Sequence, residues 1–201
     1  MRRICFLLCL CVSLVAGATA AMPPDQLIKD TTNKVLKELT ENRAELQKDP
    51  QRLYQMVNDV VLPHFDFERM SRYVLGKHWR QATDDQQQKF VGEFKTLLVR
   101  TYATALFEYT GQEIDYKPFH HAEGDSKAVV ETEVQRSDGP PIPIDYSLTQ
   151  NSEDWKVYDI KINGLSLVTN YRAQYGRIIE TQGMDALIGE LTKKNEELMK
   201  Q

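Results

Sequence analysis

Between Thr83 and Gly111 the large apolar residues recur in steps of three and four. Phe90, Phe94, Leu97, Leu98, Tyr102, Ala105, Leu106 and Tyr109 therefore fall on one stripe of an amphipathic helix. Thr83 and Gln86 have the spacing of a capping box, in which each side chain satisfies a backbone N–H of the first turn. Asp84 and Asp85 put negative charge where the helix dipole is positive, and Gly111 supplies a stop. The pattern predicts one helix over the whole of 83–111, roughly 40 Å long. One side of it is almost wholly aliphatic and aromatic, so something large and apolar has to cover it.

The same period runs through the chain before it. Ile28, Thr31, Val35, Leu39 and Leu46 share a face, opposite many charges. Asp49-Pro50 then offers an N-cap followed by a first-turn proline, opening a helix with Leu53, Met56, Val57, Val60 and Val61 that stops before Pro63. Asp66 caps a short helix with Phe67, Met70, Tyr73 and Val74, closed by Gly76.

After Gly111 the period drops to two. Ile114 and Tyr116 alternate with polar residues, as do Val130, Thr132 and Val134, then Ile142, Ile144, Tyr146 and Leu148. Asp138-Gly139-Pro140 and Asn151-Ser152-Glu153-Asp154 are turns. From Trp155 to Ile162 both faces look apolar at one end, and Asn163-Gly164 ends that strand. Leu167, Val168, Tyr171, Tyr175, Ile178 and Ile179 restore the helical period; after a break at Gly183 it continues through Leu187, Ile188, Leu191 and Leu198. Helices, four strands, then helices make an α+β domain: a curved four-stranded antiparallel sheet packed by helices on one side.

Residues 1–20 stand apart from this pattern. Arg2 and Arg3 precede the apolar run ICFLLCLCVSLVAG, and Ala18-Thr19-Ala20 offers small residues at a signal-peptidase site. The run is shorter than the ~20 residues of a membrane span, so the expectation is an export signal over 1–20 and a mature domain over 21–201, with a retained N-terminal anchor or a lipoprotein as the alternatives. No small-residue lipobox surrounds Cys11, against a lipoprotein. Cys5, Cys9 and Cys11 all leave with the signal, which would deprive the mature protein of disulfides and thiolate chemistry. The cut takes two basic residues and no acidic one, so the formal charge falls from −4 to −6. An acidic surface argues against nucleic acid and anionic membrane as partners and suits docking to chosen proteins.

Candidate chemistry is sparse. His64, His78, His120 and His121 have no carboxylate at ligand spacing, and no GxSxG, HExxH, P-loop or glycine-rich dinucleotide fingerprint occurs. Asp66 and Glu68 read as an N-cap and a first-turn charge, and Ser166 as the N-cap of the next helix. The positive signal is an excess of apolar faces turned toward one interior. A solid core and a curved sheet enclosing a cavity share this periodicity.

Two blocks carry a resemblance. One is Pro63-His64-Phe65-Asp66-Phe67-Glu68-Arg69-Met70, then Leu75-Gly76-Lys77-His78-Trp79-Arg80-Gln81-Ala82-Thr83, with Gln87 and Phe90 through Tyr102-Ala103. The other runs from Asp159-Ile160-Lys161-Ile162-Asn163-Gly164 to Tyr171-Arg172, followed by Gly183-Met184-Asp185-Ala186-Leu187-Ile188. Together they resemble the MlaC family, also called the toluene-tolerance or ABC-transporter auxiliary-component family. The resemblance implies an NTF2-like cone with a deep apolar pocket in a periplasmic carrier. Such a carrier shuttles glycerophospholipid between the outer-membrane lipoprotein MlaA with its porin and the inner-membrane MCE-domain protein MlaD. It implies a monomer without cofactor or catalytic residues, serving outer-membrane lipid asymmetry.

On that reading strand parity nominates Val130, Val134, Ile142, Ile144, Tyr146, Leu148, Ile160, Ile162 and Leu165 as pocket wall. Phe94, Leu98, Tyr102 and Leu106 join them from the long helix. Lys77, Arg80, Lys161 and Arg172 are the candidate phosphate neighbours. The competing readings are an NTF2-like enzyme and a solid-core interaction module. The enzyme needs a carboxylate facing inward, whereas Asp145 and Asp159 carry the outward parity.

Overall fold

The computed structural model describes residues 22–122, 124–151 and 154–200. The export signal expected over 1–20, and Ser152 and Glu153 of the expected turn, lie outside the described residues. The helices are α1 (Pro24–Glu41), α2 (Arg43–Lys48), α3 (Pro50–Val60), α4 (Phe67–Leu75), α5 (Asp84–Ala103), α6 (Leu167–Gln182) and α7 (Met184–Leu198). The strands are β1 (Ile114–Tyr116), β2 (Lys127–Val134), β3 (Ile142–Asn151), β4 (Asp154–Ile162) and β5 (Leu165–Ser166).

Local chemistry sets the helix starts. An Asp49 carboxylate oxygen accepts from the Gln51 N–H at 3.0 Å, and one from Asp66 accepts from the Arg69 N–H at 2.9 Å. Thr83 and Gln86 form the reciprocal pair, Gln86 N–H to Thr83 Oγ1 at 3.2 Å and Thr83 N–H to Gln86 Oε1 at 3.0 Å. The ends differ from expectation. α5 closes at Ala103 after 20 residues, about 30 Å rather than 40 Å, and Thr104–Glu108 is a 3₁₀ turn. Thr101, Tyr102 and Thr104 are modest helix formers, and the Arg43 guanidinium takes the carbonyls of Phe107 and Tyr109 out of any helical ladder. The stripe from Ile28 to Leu46 is likewise two helices, parted at Asn42, whose side-chain amide donates to Glu38.

The sheet is an antiparallel meander in the order β1-β2-β3-β4-β5. It has five strands where alternation predicts four. Asn163 and Gly164 both take positive φ, 51° and 75°, so they form a two-residue hairpin turn that brings Leu165 opposite Ile162. Across the other strands, Thr132, Ile144 and Ile162 are in register, as are Val130, Tyr146 and Ile160, and Ala128, Leu148 and Val157. A bulge at Tyr158 separates the last two rows. It switches the inward parity of β4 from odd (Trp155, Val157) to even (Ile160, Ile162), which is why that strand reads as apolar on both faces.

Three packed clusters result. Phe90, Phe94, Tyr175 and Leu187 anchor one among α4–α7; Leu27, Ile28, Val130, Leu148 and Trp155 join α1 to the sheet; Val35, Leu39, Leu53, Val57 and Ala103 join α1–α3 to the end of α5. The segment before α4 is tied to β4 by the Asp66 N–H, which donates to the Val157 carbonyl at 2.9 Å.

Candidate functional site

The three clusters do not close on one another. Between them lies a cavity of about 860 Å³, lined by Ile28 and Val157 from the second, Val35 and Val57 from the third, and Met70 and Leu98 from the first. That size is near the top of the ~300–1,000 Å³ usual for ligand sites. The sheet contributes Ile114, Thr132, Val134, Ile142, Ile144, Tyr146, Ile160 and Ile162, and α5 with its 3₁₀ turn contributes Tyr102, Ala105 and Leu106.

Of the residues nominated by strand parity and helix stripe, Leu98, Tyr102, Leu106, Val134, Ile142, Ile144, Tyr146, Ile160 and Ile162 line this cavity. Four do not. Phe94 is fully buried one turn before Leu98, stacked on Phe90 at 5.5 Å and edge-on to Tyr175. Val130 and Leu148 are instead covered by packing with Leu27 and Ile28 of α1 and with Trp155, although their cross-strand neighbours Tyr146 and Val157 line the cavity. Leu165 is 73 % exposed, because the two-residue turn carries it to the sheet edge.

None of the four candidate phosphate neighbours lines the cavity. Lys77 pairs with Glu180 at 2.8 Å, and Arg80 and Lys161 are exposed. The Arg172 guanidinium lies against Gly76, about 3.0 Å from where a β-carbon there would sit. The one Lys or Arg among the described lining residues is Arg136. It continues the even, inward parity of Val130, Thr132 and Val134 past the end of β2, a signal hidden by the turn sequence around it. The wall also takes Thr31 and Thr32 of α1 and Phe65 and Phe67 around the α4 cap, which strand parity does not reach. Thr31, a polar residue on an otherwise apolar stripe, is the mark in the sequence that α1 borders open space.

The carboxylates and the guanidinium of the wall are segregated. Glu108, Tyr109 and Gln112 precede β1, and Arg136, Ser137 and Asp138 lie between β2 and β3, so antiparallel pairing of Ile114 with Val134 brings both groups to one end. Two ionisable groups elsewhere in the wall are shifted toward their neutral forms. Burial, with Tyr116 beside it, pushes the Tyr146 phenol up to about 12, against the effect of a hydrogen bond with Thr132. Burial, then Lys156 and Lys34, lowers His64, which favours the neutral imidazole. Neither Asp145 nor Asp159 lines the cavity. Asp159 is buried instead at the start of α6, accepting from Ser166 Oγ at 2.6 Å and the Val168 N–H at 3.1 Å.

A sheet and helices enclosing a large apolar chamber with one polar end define a container protein of the α+β class. Known proteins make the class specific. The sequence profile of the family described as MlaC protein matches residues 29–193, and the chain belongs to that family. It is 29 % identical over 167 residues to the toluene tolerance protein ttg2D of Pseudomonas putida, covering 83 % of this chain and 77 % of that one. With the intermembrane phospholipid transport system binding protein MlaC of Haemophilus influenzae it shares 25 % identity over 174 residues, 85 % of this chain and 81 % of that one. A solved phospholipid-binding protein of Ralstonia solanacearum, in complex with a phospholipid, superposes with a TM-score of 0.82 at 34 % identity, covering 89 % of this chain and 99 % of that one.

Proposed function

We propose that this protein is a periplasmic phospholipid carrier: it holds the acyl chains of a glycerophospholipid in the cavity and leaves the headgroup at the polar end. The observation that carries the reading is the apolar chamber of about 860 Å³ in a fold shared with a protein solved in complex with a phospholipid. Each CH₂ taken out of water is worth about 0.8 kcal/mol, so two chains of sixteen carbons need shelter on the order of 20 kcal/mol. Transfer breaks no covalent bond, so the proposal requires neither catalytic residues nor a cofactor.

Export of residues 21–201 after cleavage at Ala20 fits this role, as does the lack, among the described residues, of a helix long and apolar enough to cross a membrane. Family membership supports the further reading that a monomer exchanges its cargo with MlaA and its porin at the outer membrane and with MlaD at the inner membrane, maintaining lipid asymmetry. Directional delivery then requires each partner to favour either the loaded or the empty state. Protein isolated from the periplasm of a Gram-negative host is expected to start at Ala21 and to release near-stoichiometric phospholipid on solvent extraction. Native mass spectrometry finding the chain lipid-free would overturn the carrier reading.

A further inference from the structure

We propose that the polar end of the cavity is a headgroup subsite that prefers a zwitterionic phosphodiester, with phosphate at Arg136 and ammonium at Glu108, over an anionic headgroup. The inference rests on the phospholipid reading and goes beyond it to the class of headgroup. Its basis is the charge at the mouth. The charged side chains lining that end are one guanidinium, Arg136, and two carboxylates, Glu108 and Asp138.

Arg136 is held in place. Asp138 accepts from its Nε at 3.2 Å and lies 3.1 Å from its Nη2 through the same oxygen, Oδ1. The guanidinium lies over Gly139, its carbon 3.5 Å from where a β-carbon there would sit, which is ordinary van der Waals contact. Nη1 has no hydrogen-bond partner among the described residues. A planar donor fixed along one edge, with another donor left open, suits a phosphate oxygen. Asp138 balances the Arg136 charge, so the net charge of the side chains lining the mouth is that of Glu108.

Glu108 is exposed and has no ion-pair partner among the described residues. Its backbone is fixed, however. Arg43 donates to the carbonyls on either side, Phe107 and Tyr109, the latter at 2.6 Å, and the Gln112 amide donates to the carbonyl of Glu108 itself at 3.4 Å. An anionic headgroup brings a phosphate beside this carboxylate, and the Arg43 guanidinium behind the backbone, engaged by the Phe107 and Tyr109 carbonyls, screens that repulsion without supplying a cation within the lining. A phosphoethanolamine brings an ammonium, on a short tether from the phosphate, that complements the carboxylate. The site faces water, so the selection is modest, about two- to fivefold per charge.

The test is competitive loading. Delipidated protein is incubated with vesicles of equal phosphatidylethanolamine and phosphatidylglycerol with matched acyl chains, and the bound lipid is extracted and quantified. The expected result is a two- to fivefold excess of phosphatidylethanolamine, reduced toward one in Glu108→Gln and at high salt. Arg136→Gln should lower total loading, most for phosphatidylglycerol, because it also frees Asp138. Thermal melts check that these variants of surface residues remain folded. Lipid bound without preference, or a preference unchanged in Glu108→Gln, overturns the subsite and leaves the carrier reading standing. Failure to take up either lipid overturns both.

Discussion

Leu148 and Ile144 are four residues apart on β3 and point to the same face, yet they do opposite work. Leu148 is fully buried among Val130, Trp155 and Val157, whereas Ile144 lines the cavity. Leu148→Ala should therefore cost about 2–5 kcal/mol in denaturant unfolding, the cost of a core truncation with its residual void. Ile144→Arg should remain folded, because the long side chain can snorkel toward the polar end, and should co-purify with much less lipid. An Ile144→Arg protein that stays folded and fully loaded would place the acyl chains elsewhere. Leu165→Glu, at the exposed hairpin tip, should change stability by less than about 0.5 kcal/mol and leave loading intact. Parity correctly assigns Ile144 and Leu148 to one face. It carries no information on where along that face packing stops, because this depends on how far α1 reaches over the sheet.

At the level of the element, the Asp66 cap makes α4 sensitive to acid. Burial alone would raise the Asp66 carboxyl, but the Arg69 N–H, the Arg69 guanidinium and the Asn151 amide together hold it below its ordinary 3.8. A carboxyl lowered in the folded state adds stability that is present above about 3.8 and is lost as the pH falls through the lower folded value. Asp66→Ala should cost about 1 kcal/mol at neutral pH, and the gap to the parent should narrow below pH 3.8 in urea titrations at pH 7 and pH 3. The other end of α4 depends on Gly76, at φ 53° and ψ −118°. Gly76→Ala would meet both a conformation strained for a side chain and the Arg172 guanidinium, and should lower the melting temperature. Such starts and stops are legible in the sequence because a cap acts over three or four residues. The split at Asn42 and the early end of α5 are not, since the latter depends on Arg43, more than sixty residues away in the chain.

For the whole molecule, the cavity links stability to cargo. A ligand that binds only the folded state stabilises it by an amount that grows with the logarithm of its concentration over its dissociation constant. Protein stripped of lipid should therefore melt at a lower temperature by calorimetry than the same protein refilled from vesicles. Equal melting temperatures would mean that the chamber is not where lipid binds. Because the wall draws on all three clusters, emptying the chamber should loosen the contacts among them before it affects any single cluster.

Residues near one another in the chain determined a good deal: the helix starts at Asp49, Asp66 and Thr83, the strand faces from Ile114 to Leu148, and the family, carried by contiguous blocks. These features rest on periodicity and on hydrogen bonds spanning a few residues. The tertiary structure decided the rest. The bulge at Tyr158 put Trp155 and Val157 on the same inward face as Ile160 and Ile162, the Asn163-Gly164 turn carried Leu165 out to the edge, and pairing of Ile114 with Val134 brought Glu108 and Arg136 to one mouth. Whether an apolar face meets side chains or open space depends on the separation of elements distant in sequence, and hydrophobic periodicity is the same in both cases.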